Sequence, residues 1–528
     1  MGHIALSCHL PIMGHIGGRS GNMSEQANDE TGGISSRRLM GLVAGPVAAL
    51  AVALLFRIDG RIDGRIDGRI DAHIDALTPT AELAAAIAVL MAIWWATEAL
   101  PLAVTALLPI LLFPLAGIMD MRTTTASYAN PIIFLFLGGF IVALAIERSQ
   151  MHRRIALLVF KNLGRSAAGL VGGFMGVAAL FSMWISNTST VLMLFPIALS
   201  MGMVLRETVP ELTVQQLRHF KLSLLLGLAY AASIGGMATL VGTPTNAFMV
   251  GFLEAEYNVA IAFIDWMAVG VPAVVFLLPL GWLLLTRLVF PLSFTASDEI
   301  RQEFARRYAA LGPISKADKR TGLVFLLLVF GWTLRRQISQ WTGLDGLSDT
   351  GIAIMAALLA FVIPSGTDRH ALVTWEDTKR LPWGVLLLFG GGLALAAALS
   401  GTGLTLWLGQ QLAPLGVVNA LLLVVALTTL VIFLTELTSN VATTATLLPV
   451  LAAIAVQLNI DPLLFVVPVT MAASCAFMLP VATPPNAIVF GDDDVTIADM
   501  MRAGFRLNLI AILLVSALAA FWVPAVLG

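Results

Sequence analysis

Long apolar runs dominate this sequence, and short polar motifs interrupt them. The runs extend from residue 39 to residue 526 and lack the period-two alternation of membrane β-barrel strands. A spanning helix needs about 20 apolar residues, so the runs allow about 11 crossings. The pattern therefore predicts an all-α polytopic membrane protein.

One polar stretch divides the apolar runs into two groups. Residues 291–321 form the longest polar stretch in the interior of the chain, and basic side chains recur along it. Because basic loops stay on the cytoplasmic side of a membrane, this stretch predicts a cytoplasmic linker. The linker would join two related halves, residues 79–290 and 322–528.

The first 78 residues differ from the rest. Residues 1–36 have no hydrophobic period and are predicted to be disordered. Residues 37–78 would hold the first transmembrane helix and then a loop, in which Arg57-Ile58-Asp59-Gly60 recurs up to Asp71. A glycine at every fourth position opposes a helix, so the repeat predicts a solvated loop. A calcium-binding array is not favoured, because calcium loops carry denser acidic ligands.

Two short apolar segments have a proline at the start and small residues in the middle. Residues 132–146 follow Asn130-Pro131 and contain Gly138-Gly139, whereas residues 385–399 follow Leu381-Pro382 and contain three consecutive glycines. Each segment is short for a full span, and small residues let two limbs pack closely. We therefore expect each segment to form a re-entrant hairpin.

Two polar motifs occur twice, once in each half. A Ser-Asn pair with nearby hydroxyls lies within residues 181–190 and again within 435–444. Each is followed by a Thr-Pro-x-Asn-Ala motif, at residues 243–247 and 483–487. An unpaired polar group in apolar surroundings costs about 2–7 kcal/mol, so these groups need partners. Interrupted apolar segments at matching positions of two halves indicate a transporter binding site near the bilayer midplane.

The oxygen atoms of these motifs suit sodium, a hard cation that takes hydroxyl, amide and carbonyl ligands. Ser182 and Ser186 are four residues apart, as are Thr435 and Ser439, so one helical turn would place each pair on one face. About two sodium sites are expected. The candidate sodium ligands are Ser182, Ser186, Asn187 and Gly242 in the first half, and Thr435, Ser439, Asn440 and Ala482 in the second.

The helix that follows each break would point its positive dipole end at the cavity. Backbone N–H groups and threonine hydroxyls there could hold a carboxylate. The candidate substrate contacts are Asn187, Thr188, Thr243, Asn440, Val441, Thr483 and Pro484.

Other interpretations of these residues are weaker. A single Ser or Thr in a membrane helix usually serves helix packing, but a duplicated pair of motifs is harder to explain that way. Glu98, Glu147 and Glu436 could carry protons, although a paired, structural role is favoured for each. Trp184 is expected to serve packing rather than substrate stacking.

The motifs resemble those of the divalent anion:sodium symporter family, over roughly residues 80–528. They are Ser186-Asn187-Thr188, Gly242-Thr243-Pro244, residues 439–444 and the long match at residues 474–490. The resemblance implies two inverted repeats and a homodimer with a scaffold and a moving, elevator-type transport region. It also implies two sodium sites built on hairpin tips at the Ser-Asn motifs, a dicarboxylate held between these tips, and a location in the bacterial inner (plasma) membrane. Two residues depart from the family pattern: Val441 replaces a common Thr, and Thr245 replaces a more usual Pro or Gly.

Composition narrows the function classes. With 58% hydrophobic and 12% charged residues the chain is an integral membrane protein in the lipid bilayer, and a net charge of −2 offers no basic face for nucleic acid. The sequence contains no metalloprotease motif and no phosphate loop that would indicate an enzyme. Sodium-coupled symport of C4 dicarboxylates such as succinate, malate or fumarate is the leading hypothesis. The alternatives are a sodium-independent dicarboxylate exchanger and a sulfate or citrate carrier.

Overall fold

The structure is a computed structural model that describes residues 36–66, 77–163, 166–208, 211–294, 298–366, 370–411 and 419–528. Its regular structure within these ranges is helical, apart from one isolated β-bridge between Pro364 and Ala371. The predicted all-α class is therefore confirmed. The interpretation of residues 1–35 and 67–76 lies outside the described residues.

The described part of the chain up to residue 310 contains thirteen α-helices. They are α1 (Ser36–Ile66), α2 (Pro79–Thr97), α3 (Leu102–Thr105), α4 (Leu108–Leu115), α5 (Met121–Ala126), α6 (Pro131–Ser149), α7 (Met151–Leu163), α8 (Ala167–Ser182), α9 (Asn187–Thr208), α10 (Val214–Gly236), α11 (Pro244–Tyr257), α12 (Phe263–Leu283) and α13 (Asp298–Ala310). A π-helical turn, Leu284–Val289, extends α12.

The described part of the chain from residue 316 onwards contains eleven α-helices. They are α14 (Lys316–Thr333), α15 (Arg335–Thr342), α16 (Asp349–Val362), α17 (Trp383–Gly401), α18 (Leu404–Gln411), α19 (Ala420–Thr435), α20 (Asn440–Gln457), α21 (Leu463–Ala473), α22 (Pro484–Phe490), α23 (Ile497–Ala517) and α24 (Val523–Val526). Short 3-10 turns occur at Ser127–Ala129, Trp375–Arg380 and Pro480–Ala482.

Eight described helices are long and apolar enough to cross a membrane, or nine if α14 and α15, bent by 80°, form one span. Five shorter apolar helices of 10–17 residues accompany them, α8 and α19 among them. The total of about 11 spans stays a prediction.

Helix α1 differs from the predicted loop. Its backbone continues to Ile66, through the first two copies of the four-residue repeat. Each glycine disfavours the helix by about 1 kcal/mol, but a helix that already exists extends without a new nucleus. The apolar run that precedes the repeat supplies that existing helix.

The prediction of re-entrant hairpins at residues 132–146 and 385–399 was wrong in its location. α6 and α17 are each continuous helices of 19 residues. Their glycines serve close helix contacts instead of turns: a Cβ on Gly138 would lie 2.6 Å from the carbonyl carbon of Ala353, and one on Gly392 would lie 2.5 Å from the Phe248 ring. A small-residue pattern predicts close approach in either case, and here the partner is another helix.

The hairpins of this chain lie at the Ser-Asn motifs. A Cβ on Gly235 would meet the backbone of Ala179, and one on Gly227 would meet Met175. Because later residues of α8 meet later residues of α10, these two helices run in the same direction.

Helix α9 runs the opposite way. Its first residue, Asn187, lies beside Gly236 at the end of α10, whereas its last residue precedes the start of α10 by a short connection. α8 and α9 are therefore antiparallel limbs, joined by residues 183–186. We call residues 167–208 hairpin 1 and the matching residues 420–457, formed by α19 and α20, hairpin 2.

Candidate functional site

Four oxygen-bearing groups meet at the tip of hairpin 1. Ser182 ends α8 and Asn187 begins α9, and the Ser182 Oγ lies 2.6 Å from the Asn187 Oδ1. The same terminal atom of the Asn187 amide lies 3.1 Å from Ala232 O and 3.3 Å from Gly242 O. A Cβ on Gly242 would lie 2.9 Å from the Ser182 carbonyl oxygen, so only glycine fits there.

The two orientations of this amide have different consequences. With its NH₂ group at that position, Asn187 can donate two hydrogen bonds, and three acceptors lie within reach: Ala232 O, Gly242 O and Ser182 Oγ. With its carbonyl oxygen there, four oxygens face one another, and a cation between them would relieve the repulsion. The donor set of one hydroxyl, one amide and two carbonyl oxygens fits sodium, because a hard cation takes oxygen ligands.

Hairpin 2 repeats the arrangement. The Thr435 hydroxyl lies 2.8 Å from the Asn440 Oδ1 and 3.0 Å from Ala473 O. The α-helices are interrupted at residues 237–243, between α10 and α11, and at residues 474–483, between α21 and α22; we call these segments the first and the second break. Ala473 matches Ala232, because an Ala-Ala-Ser tripeptide lies at or just before the start of each break, at residues 231–233 and 472–474. Sequence reasoning missed these two carbonyls, although the repeated tripeptide could have indicated them.

The predicted stacking of hydroxyls one helical turn apart was wrong. α8 ends at Ser182, so Ser186 lies beyond it and precedes α9. The Ser186 hydroxyl accepts from the Ser189 backbone N–H at 3.2 Å and lies 3.0 Å from the Ser189 Oγ. Ser439 likewise lies beyond α19, at the N-cap of α20, where its side chain makes no cap hydrogen bond. Each four-residue spacing therefore spans the connection between two helices and not one turn of a helix.

The asparagine of each Thr-Pro-x-Asn-Ala motif closes the loop formed by the break before it. The Asn246 amide donates to Thr239 O at 2.8 Å, and the Asn486 amide donates to Leu479 O at 3.0 Å and Ala476 O at 3.1 Å. Both side chains are fully buried, and neither Oδ1 has a hydrogen-bond partner. These amides were part of the predicted motif, but their role as loop closures was not predicted.

Glu436 stabilises the second break. Its carboxylate accepts from the backbone N–H groups of Phe477 at 2.8 Å, Met478 at 2.9 Å and Leu479 at 3.0 Å, and from the Asn508 amide at 2.8 Å. A buried carboxylate is tolerated when donors of this kind satisfy it. The geometry matches the structural role favoured for this acid.

The first break is held without a charge. Met183 takes the place of Glu436, and its backbone carbonyl accepts from the Thr239 hydroxyl. The Thr239 Oγ1 in turn accepts from Gly242 N at 3.1 Å. One neutral hydroxyl therefore does in the first half what a carboxylate does in the second.

A helix begins directly after each break. Thr243 and Thr483 are the N-cap residues of α11 and α22, and Pro244 and Pro484 occupy the first helical positions. α9 packs against α22, and α11 packs against α20 and α21. The second limb of each hairpin, α9 or α20, therefore faces the helix that follows the break of the other half. The predicted substrate residues of the two halves lie on these facing elements.

The two tips contact the rest of the molecule differently. Trp184 stacks with Phe263 and Trp332, with ring centroids 6.0 and 6.5 Å apart, so its predicted packing role fits this cluster. At the other tip, the Arg37 guanidinium donates to Leu437 O at 3.0 Å and to Ala96 O at 2.7 Å. A cavity of about 170 Å³ separates α2 from hairpin 2.

The other two acids have structural surroundings. Glu98 is exposed and follows α2 in the left-handed conformation, with φ of 50°. Glu147 pairs with Arg380 at the end of α6. Neither lies in the tips or breaks.

The chain is similar to characterised proteins over most of its length. The family described as the sodium:sulfate symporter transmembrane region matches residues 73–527. The sodium-dependent dicarboxylate transporter SdcS of Staphylococcus saprophyticus is 41% identical over 451 residues, which are 84% of this chain and 86% of that protein. SdcS of Staphylococcus aureus strain USA300 is 39% identical over 450 residues, with coverage of 84% and 86%.

A solved structure shares the fold. The YdaH transporter of Alcanivorax borkumensis aligns with a TM-score of 0.52 at 16% identity, over 76% of this chain and 87% of that chain. At this identity the similarity concerns the fold alone. The family match, by contrast, covers the described halves together with both pairs of motifs. The chain therefore belongs to the sodium:sulfate symporter family, the divalent anion:sodium symporters.

Proposed function

We propose that this protein is a secondary transporter of the bacterial plasma membrane that couples sodium entry to the uptake of C4 dicarboxylates. The observation that carries the proposal is the duplicated oxygen cluster at the tips of hairpins 1 and 2. Family membership and the SdcS relatives, which are named sodium-dependent dicarboxylate transporters, support it.

Each tip would bind one sodium ion. In the first, the Ser182 hydroxyl and the carbonyl oxygens of Ala232 and Gly242 lie 2.6, 3.1 and 3.3 Å from one terminal atom of the Asn187 amide. With its oxygen at that position, Asn187 would supply the fourth ligand. In the second, Thr435, Asn440 and the Ala473 carbonyl repeat that set. Ser186, Ser439 and Ala482 complete the proposed ligands.

A dicarboxylate would bind between the tips. Its two carboxylates need donors on both sides, and the starts of α11 and α22 offer backbone N–H groups and threonine hydroxyls. Asn187 and Asn440 would contact substrate and sodium together, which links the binding of one to the binding of the other. Thr188, Thr243, Val441, Thr483 and Pro484 would line the same site.

Movement of the two hairpins and breaks as one elevator-type unit, within a homodimer, would expose this site to each side in turn. The crossed packing of α9 on α22 and of α11 on α20 and α21 supports a single moving unit, because it joins the two halves at the site.

Uptake of labelled succinate into proteoliposomes tests the proposal. An inward sodium gradient should drive accumulation, and replacement of sodium by choline should abolish it. Uptake that persists in choline and depends on internal succinate would identify an exchanger instead. Inhibition by excess sulfate or citrate, but not by malate or fumarate, would assign a different divalent anion.

A further inference from the structure

A chain of three hydroxyls connects the two breaks. The Thr245 Oγ1 lies 3.3 Å from the Thr243 Oγ1 and 3.1 Å from the Ser474 Oγ. Thr243 and Thr245 lie at the start of α11, where the first break ends, and Ser474 follows α21, where the second break begins. Thr245 and Ser474 are 0% and 1% exposed, so no solvent can replace a hydrogen bond that is lost here.

The second half has no such chain. Pro485 occupies the position of Thr245 and offers no hydroxyl, and Ser233, the counterpart of Ser474, is buried without a hydrogen-bond partner. The Thr483 hydroxyl instead caps its own helix, accepting from Asn486 N at 3.2 Å.

Thr243 behaves differently from Thr483. Its hydroxyl makes no cap hydrogen bond to α11, although its backbone has nearly the same conformation, with φ of −139° against −144°. The local backbone therefore does not explain the difference. The neighbouring hydroxyl of Thr245 does, because it gives the Thr243 side chain another partner.

We propose that Thr245 is a positioning residue that orients the Thr243 hydroxyl to donate its proton to a substrate carboxylate. Each hydroxyl donates one proton and can accept from two donors. If Ser474 donates to Thr245 and Thr245 donates to Thr243, the proton of Thr243 remains free for the substrate. An anionic substrate favours this direction, because a charged acceptor binds an O–H more strongly than a neutral one.

This inference rests on the proposed dicarboxylate site and adds to it Thr245, whose counterpart in the second half is Pro485. Its test uses Thr245→Val, which removes the hydroxyl at nearly constant volume, and Thr245→Ser, which retains it. Thr286→Val is the matched control, since Thr286 is equally buried and its hydroxyl bonds within its own helix, to Trp282 O at 2.7 Å.

Succinate uptake at saturating sodium gives KM and maximal rate for each variant. We expect Thr245→Val to raise KM by about tenfold, the loss of one hydrogen bond to a charged group, with maximal rate and sodium half-saturation within twofold of wild type. Thr245→Ser and Thr286→Val should keep the wild-type KM. Ser474→Ala should raise KM, and the double variant Thr245→Val/Ser474→Ala should show no further rise than the larger single effect.

Three outcomes would overturn the inference: a wild-type KM in Thr245→Val, equal KM values in Thr245→Val and Thr245→Ser, or additive effects in the double variant. If Thr245→Val does not fold, Ser474→Ala still tests the inference. A wild-type KM in that variant would show that the chain of hydroxyls from Ser474 does not orient Thr243. Failure of the proposed function is distinct, since wild-type protein would then show no sodium-driven succinate uptake.

Discussion

The two hairpins place matching oxygens at their tips but stabilise them by different means. In the first half, a threonine hydroxyl holds the break to a backbone carbonyl, and Trp184 packs the tip into an aromatic cluster. In the second half, the Glu436 carboxylate holds three backbone N–H groups, and Arg37 donates to the tip. The two halves therefore keep matching oxygens at their tips, while the groups that support those tips differ in charge and in kind.

The largest effect should come from the residue that both tips share. Asn187→Ala and Asn440→Ala each remove an amide proposed to bind sodium and substrate together, so each should reduce succinate uptake by more than about 100-fold. The protein level in the membrane and the melting temperature serve as controls. Wild-type uptake by either variant would mean that the duplication is structural.

The second largest effect should distinguish Glu436, which supports the second break, from Thr239, which supports the first. Glu436→Gln leaves at least one buried backbone N–H without an acceptor and should lower the free energy of unfolding by about 2–4 kcal/mol. Thr239→Val, its counterpart in the first half, removes one neutral hydroxyl and should cost about 1–2 kcal/mol. Denaturant unfolding in detergent measures both. A larger loss in Thr239→Val would contradict the proposed difference between the breaks.

A third change makes the first tip resemble the second. Trp184→Leu introduces the residue type found at Leu437 and removes the stacking with Phe263 and Trp332, at a cost of about 1–2 kcal/mol in stability. Sodium half-saturation should stay within twofold of wild type, because Trp184 supplies no oxygen to the site. A tenfold change in sodium affinity would show that the aromatic cluster shapes the ion site.

The smallest effect should come from Arg37→Gln, because an exposed hydrogen-bonded side chain contributes about 1 kcal/mol or less. Arg37→Lys, which keeps the charge but not the planar fork, is the matched control. We expect a change of two- to threefold in maximal rate for Arg37→Gln and no change in KM. A changed KM would place Arg37 in the substrate site.

Local patterns predicted the helices and the positions of both motifs, because an apolar run or a polar interruption depends only on residues that are adjacent in the sequence. The same patterns misplaced the hairpins, since Gly138-Gly139 indicates close packing without naming the partner, which is Ala353. Glu436 was predicted to have a paired, structural role, but its partners lie 41 to 72 residues further along the chain, and no local pattern indicates them. The contact from Arg37 to Leu437, 400 residues apart, had no sequence signal.

The Arg37 guanidinium joins α2 to the tip of hairpin 2 through bonds of 2.7 and 3.0 Å. A displacement of the tip by one helical turn, about 5.4 Å, exceeds the reach of any hydrogen bond, so the bond to Leu437 O exists only over a narrow range of tip positions. If hairpin 2 moves as proposed, the bond from Arg37 to Leu437 O would be lost, and a probe of the distance between residues 37 and 437 would report the movement.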